Sequence, residues 1–396
     1  INPDGWSGAA LLVDEWMQAV AHLLMATGTA VGKRRASVLL TAGEVAARVR
    51  QLIALDAQMA AWGVRLLERL TGRRAFVIAS EARPMAGRQL HCPSGFGTAK
   101  QAAAAFRAKW AELVAAGAPF LCWVTAQRGR FRNAAQTLAR LHRQRRPGAR
   151  VLVIDSTTKE AAAQLAADPD GFAAQWDAIY CSPALTSGIS FETWKPAAVL
   201  AYAGGRIAPE HVAQAAARVR CPDVPVWIYA PERCPGAALR VGSGATDPAQ
   251  LIADLRAVAD PLLGQLQDAG DAWLEAWAEL GALRNRQRHA YRATIAGLLE
   301  AEGWALQADD PGHCAATAEV VGIELGAIAA AARAAEDLAL LGAEPLTADE
   351  ARSLATARRR LDPEEAAALG RHRLIERWGL GTAAPSLALL EADRDG

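Results

Sequence analysis

The stretch Ala9-Ala10-Leu11-Leu12-Val13-Asp14-Glu15 is an apolar run that stops abruptly at two adjacent carboxylates. Five apolar residues without polar alternation suit a strand buried on both faces, as parallel sheets require. The pattern recurs: as far as about Arg240, short runs rich in Val, Ile and Leu alternate with Ala-rich helical stretches. That alternation predicts strand-helix units and an α/β fold. The expected strands cover residues 9–13, 52–56, 75–79, 120–125, 151–155, 178–182, 197–201 and 224–229.

Residues 81–97, with Pro84, Gly87, Pro93, Gly95 and Gly97, carry little apolar period and many turn formers, which predicts a hinge. Beyond Arg240 the period is helical only, from Pro248 onward, with breaks at Gly281, Pro311, Pro345 and Pro363. The expected division is therefore 1–80, the hinge 81–97, 98–240, and an all-helical appendage over 241–396. A chain of 396 residues has room for two or three domains.

Lys plus Arg number 43 against 42 Asp plus Glu, a net charge of +1, which excludes a strongly basic whole-chain wrap around nucleic acid and leaves local basic grooves open. Hydrophobic residues at 52% and charged residues at 21% place the chain among soluble globular proteins. No stretch reads as approaching the roughly 20 apolar residues that span a bilayer, so no membrane partner and a cytoplasmic location are expected. Six cysteines without a C-x-x-C pair indicate neither a zinc ribbon nor a disulfide framework. The chain starts at Ile1, close before a strand-like run, and is expected to be a fragment of a longer protein.

Four stretches can carry chemistry. Asp14 and Glu15 put hard oxygen ligands at the carboxyl edge of a sheet, where a terminal Asp can hold Mg²⁺ and the next Glu can orient an attacking water. The plainer reading is that both merely open the following helix. Gly28 to Lys33 looks like a phosphate-binding loop, but one residue is missing between its glycines, Arg34 stands where a hydroxyl belongs, and it follows the carboxylates instead of preceding them. It reads as a basic turn. Ser182 to Phe191, with Thr186 and Gly188, offers small hydroxyls and backbone N–H groups at a strand end, or is simply a polar surface turn. Gln214, Arg218 and Arg220, placed on a helix starting near Pro209, suit phosphate oxygens or form an ordinary solvated face.

Basic clusters were weighed for strand backbone contacts: Arg128, Arg130 and Arg132 after strand 120–125; Arg140, His142, Arg143, Arg145 and Arg146 on the next helix; and Arg284, Arg286, Arg288 and Arg292 with Tyr291. Each is equally readable as a solvated face. Trp273 and Trp277 at helical spacing read as core, and His211 and His91 as structural groups.

The order of these signals resembles motifs II, IV, V and VI of superfamily 2 helicases. The chain is similar to the helicase region of plasmid replication proteins of the cyanobacterial type and, more distantly, to herpesvirus origin-binding helicases. The residues that carry the likeness are 13–16, 55–59, 153–157, 182–191, 214–220 and 226–230. The resemblance implies two RecA-like parallel-sheet lobes, the first incomplete, followed by a helical region, with ATP and Mg²⁺ as cofactors. It assigns Asp14 to Mg²⁺, Glu15 to the attacking water, Gln214 and Gly188 to nucleotide, and Arg218 and Arg220 to the γ-phosphate. It assigns Thr125, Arg128, Arg130, Ser182 and Thr186 to nucleic acid. It further implies single-stranded or forked DNA, replication proteins as partners, and a primase domain upstream in the same chain. Ala217 stands where the family has Gly, and Cys221 where it has its second Arg, so which arginine serves is open. The family's phosphate loop is missing from this sequence, so the piece alone is expected not to hydrolyse ATP. Two readings compete: a non-catalytic replication initiator or origin-binding scaffold with degenerate lobes, and an unrelated α/β enzyme whose strings coincide.

Overall fold

The apolar run before the two carboxylates is strand β1 (Ala10–Val13), set after a short 3-10 turn at Pro3–Trp6. There follow α1 (Trp16–Met25), α2 (Ala30–Lys33), α3 (Arg35–Arg48), β2 (Gln51–Ala54), α4 (Ala61–Thr71), β3 (Gln89–His91), α5 (Ala99–Ala116), β4 (Phe120–Val124) and α6 (Ala135–Arg145). Next come β5 (Val151–Ile154), α7 (Lys159–Ala167), α8 (Pro169–Ala173), β6 (Ala178–Cys181), β7 (Ala198–Tyr202), α9 (Pro209–Ala216) and β8 (Val226–Tyr229). The rest is α10 (Pro248–Ala257), α11 (Pro261–Ala269), α12 (Asp271–His289), α13 (Tyr291–Ala301), β9 (Ala305–Gln307), α14 (Ala315–Gly342), α15 (Ala348–Thr356), α16 (Pro363–Trp378) and α17 (Leu387–Asp395). This computed structural model describes residues 2–27, 29–125, 133–183, 189–258, 260–307, 315–357, 361–381 and 383–395.

The chain divides into two compact units. One comprises Ile1–Phe106 and Thr186–Gly312, the other Arg107–Leu185 and His313–Gly396. In the first, β1 pairs β2 in parallel, Leu11 beside Leu52 and Val13 beside Ala54, and β7, β8, β3 and β9 follow one another in a second parallel array. In the second unit, β5, β6 and β4 form a parallel array. The α/β class expected of RecA-like lobes is thus present, with a mainly helical C-terminal region.

Seven of the eight expected strands form. Residues 75–79 do not: Phe76 is 89% and Ile78 84% exposed, because apolar composition makes a strand only where a neighbouring ladder accepts its backbone. Two strands gave no signal, β3 and β9, each three residues long and so too short for a period to show. β9 also corrects the expectation of an all-helical tail. The turn-rich stretch 81–97 contains β3 and the fully buried Arg88. The Arg88 Nε donates to the Val224 carbonyl and Nη1 to that of Val219, while the guanidinium lies 4.7 Å from the Trp304 ring centroid. Burial draws its pKa down to about 10.

Nor are the helices after Pro248 an appendage. Trp16, Val20 and Leu24, spaced by four on α1, pack with Leu39 of α3, Trp62 and Leu66 of α4, Leu251 and Leu255 of α10, Leu266 of α11, and Trp273, Trp277 and Leu280 of α12. Burying side chains of this size contributes about 1.5–3 kcal/mol each, so α10–α12 hold the first sheet's helical cover in place. Gly63 is needed here, since a Cβ there would stand 2.5 Å from the Met17 sulfur. Asn285 ties the 241–245 turn to α12, accepting from the Val241 amide at 2.9 Å and donating to the carbonyls of Val241 and Ala245.

Helix α14 corrects another expectation: by length and composition it is apolar enough to cross a bilayer. Within its unit it is partly buried, with Arg107 donating to the Ala318 carbonyl and Arg145 ion-paired to Glu324 at 2.6 Å. Arg145 and the neighbouring Arg143, which donates to the Val151 carbonyl, are therefore used inside the unit. His142, from the same cluster, is buried. The Trp110 indole donates to the Tyr180 hydroxyl at 2.8 Å, and that hydroxyl is hydrogen-bonded to His142 Nδ1 at 2.9 Å.

Burial, reinforced by Arg146 and Arg143, pulls His142 down from 6.5 to about 4. A folded-state pKa below the unfolded one means that the unfolded chain binds the proton first as pH falls. Stability should accordingly drop between pH 6.5 and about 4, by up to about 3 kcal/mol. Denaturant unfolding at pH 7.5 and 4.5 checks this; an identical pH slope in His142→Leu would refute it.

Candidate functional site

The end of β1 is organised from β2. The Trp16 amide donates to the Leu55 carbonyl at 3.0 Å, and the Met17 amide to Asp56 Oδ2 at 2.8 Å. The other oxygen of Asp56 accepts from the Gln58 amide at 2.7 Å. Asp56 therefore satisfies the first turn of α1, the service that a side chain at the helix start usually performs. Glu15, the cap residue itself, makes no side-chain cap bond and sits at φ 53°, ψ 52°, left-handed backbone that non-glycine residues rarely adopt. Its amide donates to Asp14 Oδ1 at 3.0 Å. Both residues stand at the start of α1, as the plainer reading has it, but Asp56 supplies the side-chain cap, and Asp14 and Glu15 are in the lining of a cleft.

That cleft has a volume of about 970 Å³ and runs along α1, past Gln18 and His22, with His211 of α9 and Arg284 of α12 in its lining. His211 is held below its ordinary value by burial and by Arg284, against the pull of Glu210. Glu210 accepts from Gln287 Nε2 through its first carboxylate oxygen, while its second oxygen and Arg284 Nε are both buried without a hydrogen-bond partner.

Gln214, Arg218 and Arg220 were expected on one helix. Instead α9 ends at Ala216, and the next residues are extended: Val219 bridges Phe191, with the Phe191 amide donating to Arg218 O at 2.8 Å and the Arg220 amide to Phe191 O at 2.7 Å. Such a ladder points alternate side chains to opposite sides and Arg218 with Arg220 to the same one. Arg218 is half-buried and donates to the Ile189 carbonyl at 3.2 Å. Burial lowers its pKa, and the charge of Glu15 opposes that fall. Arg220 is exposed, and its charge reaches Glu302, whose carboxyl is raised by burial against a hydrogen bond from Gln58. Gln214 lies on α9 three residues after His211, hence on the same helix face.

Within the first unit the charges of Glu15 and Arg220 both reach Arg218, while Gln214, Arg218 and Arg220 are not in the lining of the cleft that holds Asp14 and Glu15. Ser182 and Thr125 belong to the second unit, where Ser182 is buried and its amide donates to the Ile154 carbonyl. Arg128, Arg130, Arg132, Thr186 and Gly188 lie outside the described residues. From the basic-turn stretch, Ala30–Lys33 forms the short helix α2 with Thr29 accepting from the Gly32 amide, as a turn would. Sequence reasoning placed Arg284 only in a basic stretch for strand backbone or a solvated face, not in this cleft, and missed the capping by Asp56. The signal for Arg284 was present: Trp273, Trp277, Leu280 and Arg284 fall at i, i+4, i+7 and i+11, one stripe of a helix.

Backbone at φ 53° costs a non-glycine residue about 1 kcal/mol, so Glu15→Gly should leave the melting temperature unchanged or higher. Asp56→Ala should lower stability by about 1 kcal/mol through the lost cap. Thermal denaturation of both variants checks this, and a clearly lower midpoint for Glu15→Gly would count against strain at that position.

No family model and no curated protein matches this sequence. Among solved structures, the chain is similar to S. cerevisiae Dbp5 bound to RNA and ADP BeF3, at 12% identity and a TM-score of 0.39 over 80% of this chain and 63% of that one. A point variant of the same protein, also bound to RNA and ADP BeF3, aligns at 13% identity and a TM-score of 0.35 over 56% of this chain and 52% of that one. The chain spans between half and two thirds of the length of these structures.

Proposed function

We propose that this chain is part of an ATP-dependent DNA helicase or translocase of the plasmid or phage replication type, with nucleotide and Mg²⁺ held in the cleft beneath β1. The observation that carries the reading is Glu15, in left-handed backbone without a side-chain cap bond and near enough for its charge to act on Arg218. Backbone strain at a carboxylate facing a cation is a feature of working sites. In this reading Asp14 binds Mg²⁺, Glu15 orients the attacking water, and Arg218 faces the γ-phosphate, with Gln214 and Gly188 on the nucleotide.

Arg220, exposed and set toward Glu302, takes the outer part of the same anion. Residues 1–80 and 98–240 are read as two RecA-like lobes joined at 81–97. Thr125, Arg128, Arg130, Ser182 and Thr186 track single-stranded or forked DNA. Replication proteins and an upstream primase domain are the partners that fit this role.

The test is ATP turnover by the polypeptide carrying this sequence, with and without single-stranded DNA. Turnover should rise with DNA and fall a hundredfold or more in Glu15→Gln. Turnover indifferent to Glu15→Gln sinks the motor reading; DNA binding without any turnover favours the initiator or scaffold.

A further inference from the structure

We propose that Arg284, from the helical region beyond both lobes, is a phosphate-binding residue of the Asp14–Glu15 cleft and receives the anionic end of a Mg²⁺-bound polyphosphate. The inference rests on the nucleotide reading above and adds a cation that no motif supplies.

Three observations lead to it. Arg284 lines the same cleft as Asp14, Glu15, Gln18 and His211. Its Nε is buried and has no hydrogen-bond partner, and the same is true of the second carboxylate oxygen of Glu210. Burial lowers the pKa of Arg284 and the charge of Glu210 opposes that fall, while the first oxygen of Glu210 is engaged by Gln287. An arginine beside a carboxylate ordinarily closes a bidentate pair. Here the pair stays open, and a buried N–H of this kind is unfavourable until something accepts it.

The helix that presents Arg284 is firmly held. Trp273, Trp277 and Leu280 anchor the preceding turns in the core, and the neighbouring Asn285 is bonded to Val241 and Ala245. A phosphate contact from α12 would be fixed to within the play of one side chain, as a productive site requires. The chemistry is complementary. Two carboxylates gather a divalent cation but repel a naked polyphosphate, so an anion entering the cleft needs a permanent positive charge. Depressed as it is, His211 is neutral near pH 7 and offers a hydrogen bond without charge. Arginine stays charged and forks onto phosphate oxygens. Glu210, whose second oxygen makes no bond to Arg284, leaves the guanidinium available to a phosphate.

Titration calorimetry on the chain tests this, with Mg²⁺·ATP and with inorganic tripolyphosphate in the presence and absence of Mg²⁺ as probes. Arg284→Gln should weaken both probes about tenfold or more, Arg284→Lys should recover part of the loss, and Arg256→Gln on exposed α10 should change nothing. Circular dichroism melting confirms that each variant is folded. If Arg284→Gln unfolds the chain, Arg284→Lys decides alone: it keeps the charge, loses the fork, and should bind more weakly while melting normally. Binding that Asp14→Asn abolishes but folded Arg284 variants leave intact overturns this inference and spares the nucleotide reading. Loss in the Arg284 variants with Asp14→Asn unaffected upholds an anion site and sinks the metal-nucleotide reading. A wild-type chain that binds neither probe overturns both.

Discussion

The acceptance of the Met17 amide by Asp56 is the bond on which the acidic end of β1 depends. A helix must satisfy its first N–H groups, and the residue at that position is normally spent doing so. By taking over this service from the end of β2, Asp56 links the two strands beyond their ladder and leaves Glu15 without a capping bond to make. Glu15 can then be held in left-handed backbone, and α1, tethered at its first turn, runs along the cleft and presents Gln18 and His22 to it.

The same sheet explains why residues beyond Pro248 matter. Two parallel strands bury little by themselves, and parallel sheets are stable only under helical cover. Here that cover is assembled from opposite ends of the first unit: α1, α3 and α4 from early in the chain, α10–α12 from after the last of the central strands. Because α12 is recruited for packing, its next turn reaches the cleft, and a helix that looked like a tail becomes part of the site's wall.

Much of this was legible in the sequence. Continuous apolar runs marked seven strands; β4 to β8 are largely buried, as such runs suggest, whereas β1 and β2 alternate between exposed and partly buried residues, Leu12 being 61% exposed. Trp273 and Trp277 declared a core stripe by their spacing. What remained hidden depends on partners distant in sequence. Nothing in Asp56 itself says which helix it caps, β3 and β9 are strands only because they lie beside one another, and Phe76 to Ile78 has strand composition with no ladder. Arg218 and Arg220 kept their place in the argument but changed element, since the helix stops at Ala216 and the backbone pairs with Phe191 instead. The basic cluster around His142 was ambiguous for the same reason: burial of the ring is decided by Trp110 and Tyr180, not by its arginine neighbours.

The uncovered segment Ala75 to Ser80 has a bearing on how this protein behaves in a tube. Six uncharged residues with Phe, Val and Ile in a row, exposed from Phe76 onward and outside any ladder, offer pairing to a like segment of another molecule, and such windows seed cross-β stacking. Storage concentration and time, more than temperature, then set how long a preparation stays monodisperse, while the flanking Arg73, Arg74 and Glu81 act as gatekeepers that slow the process.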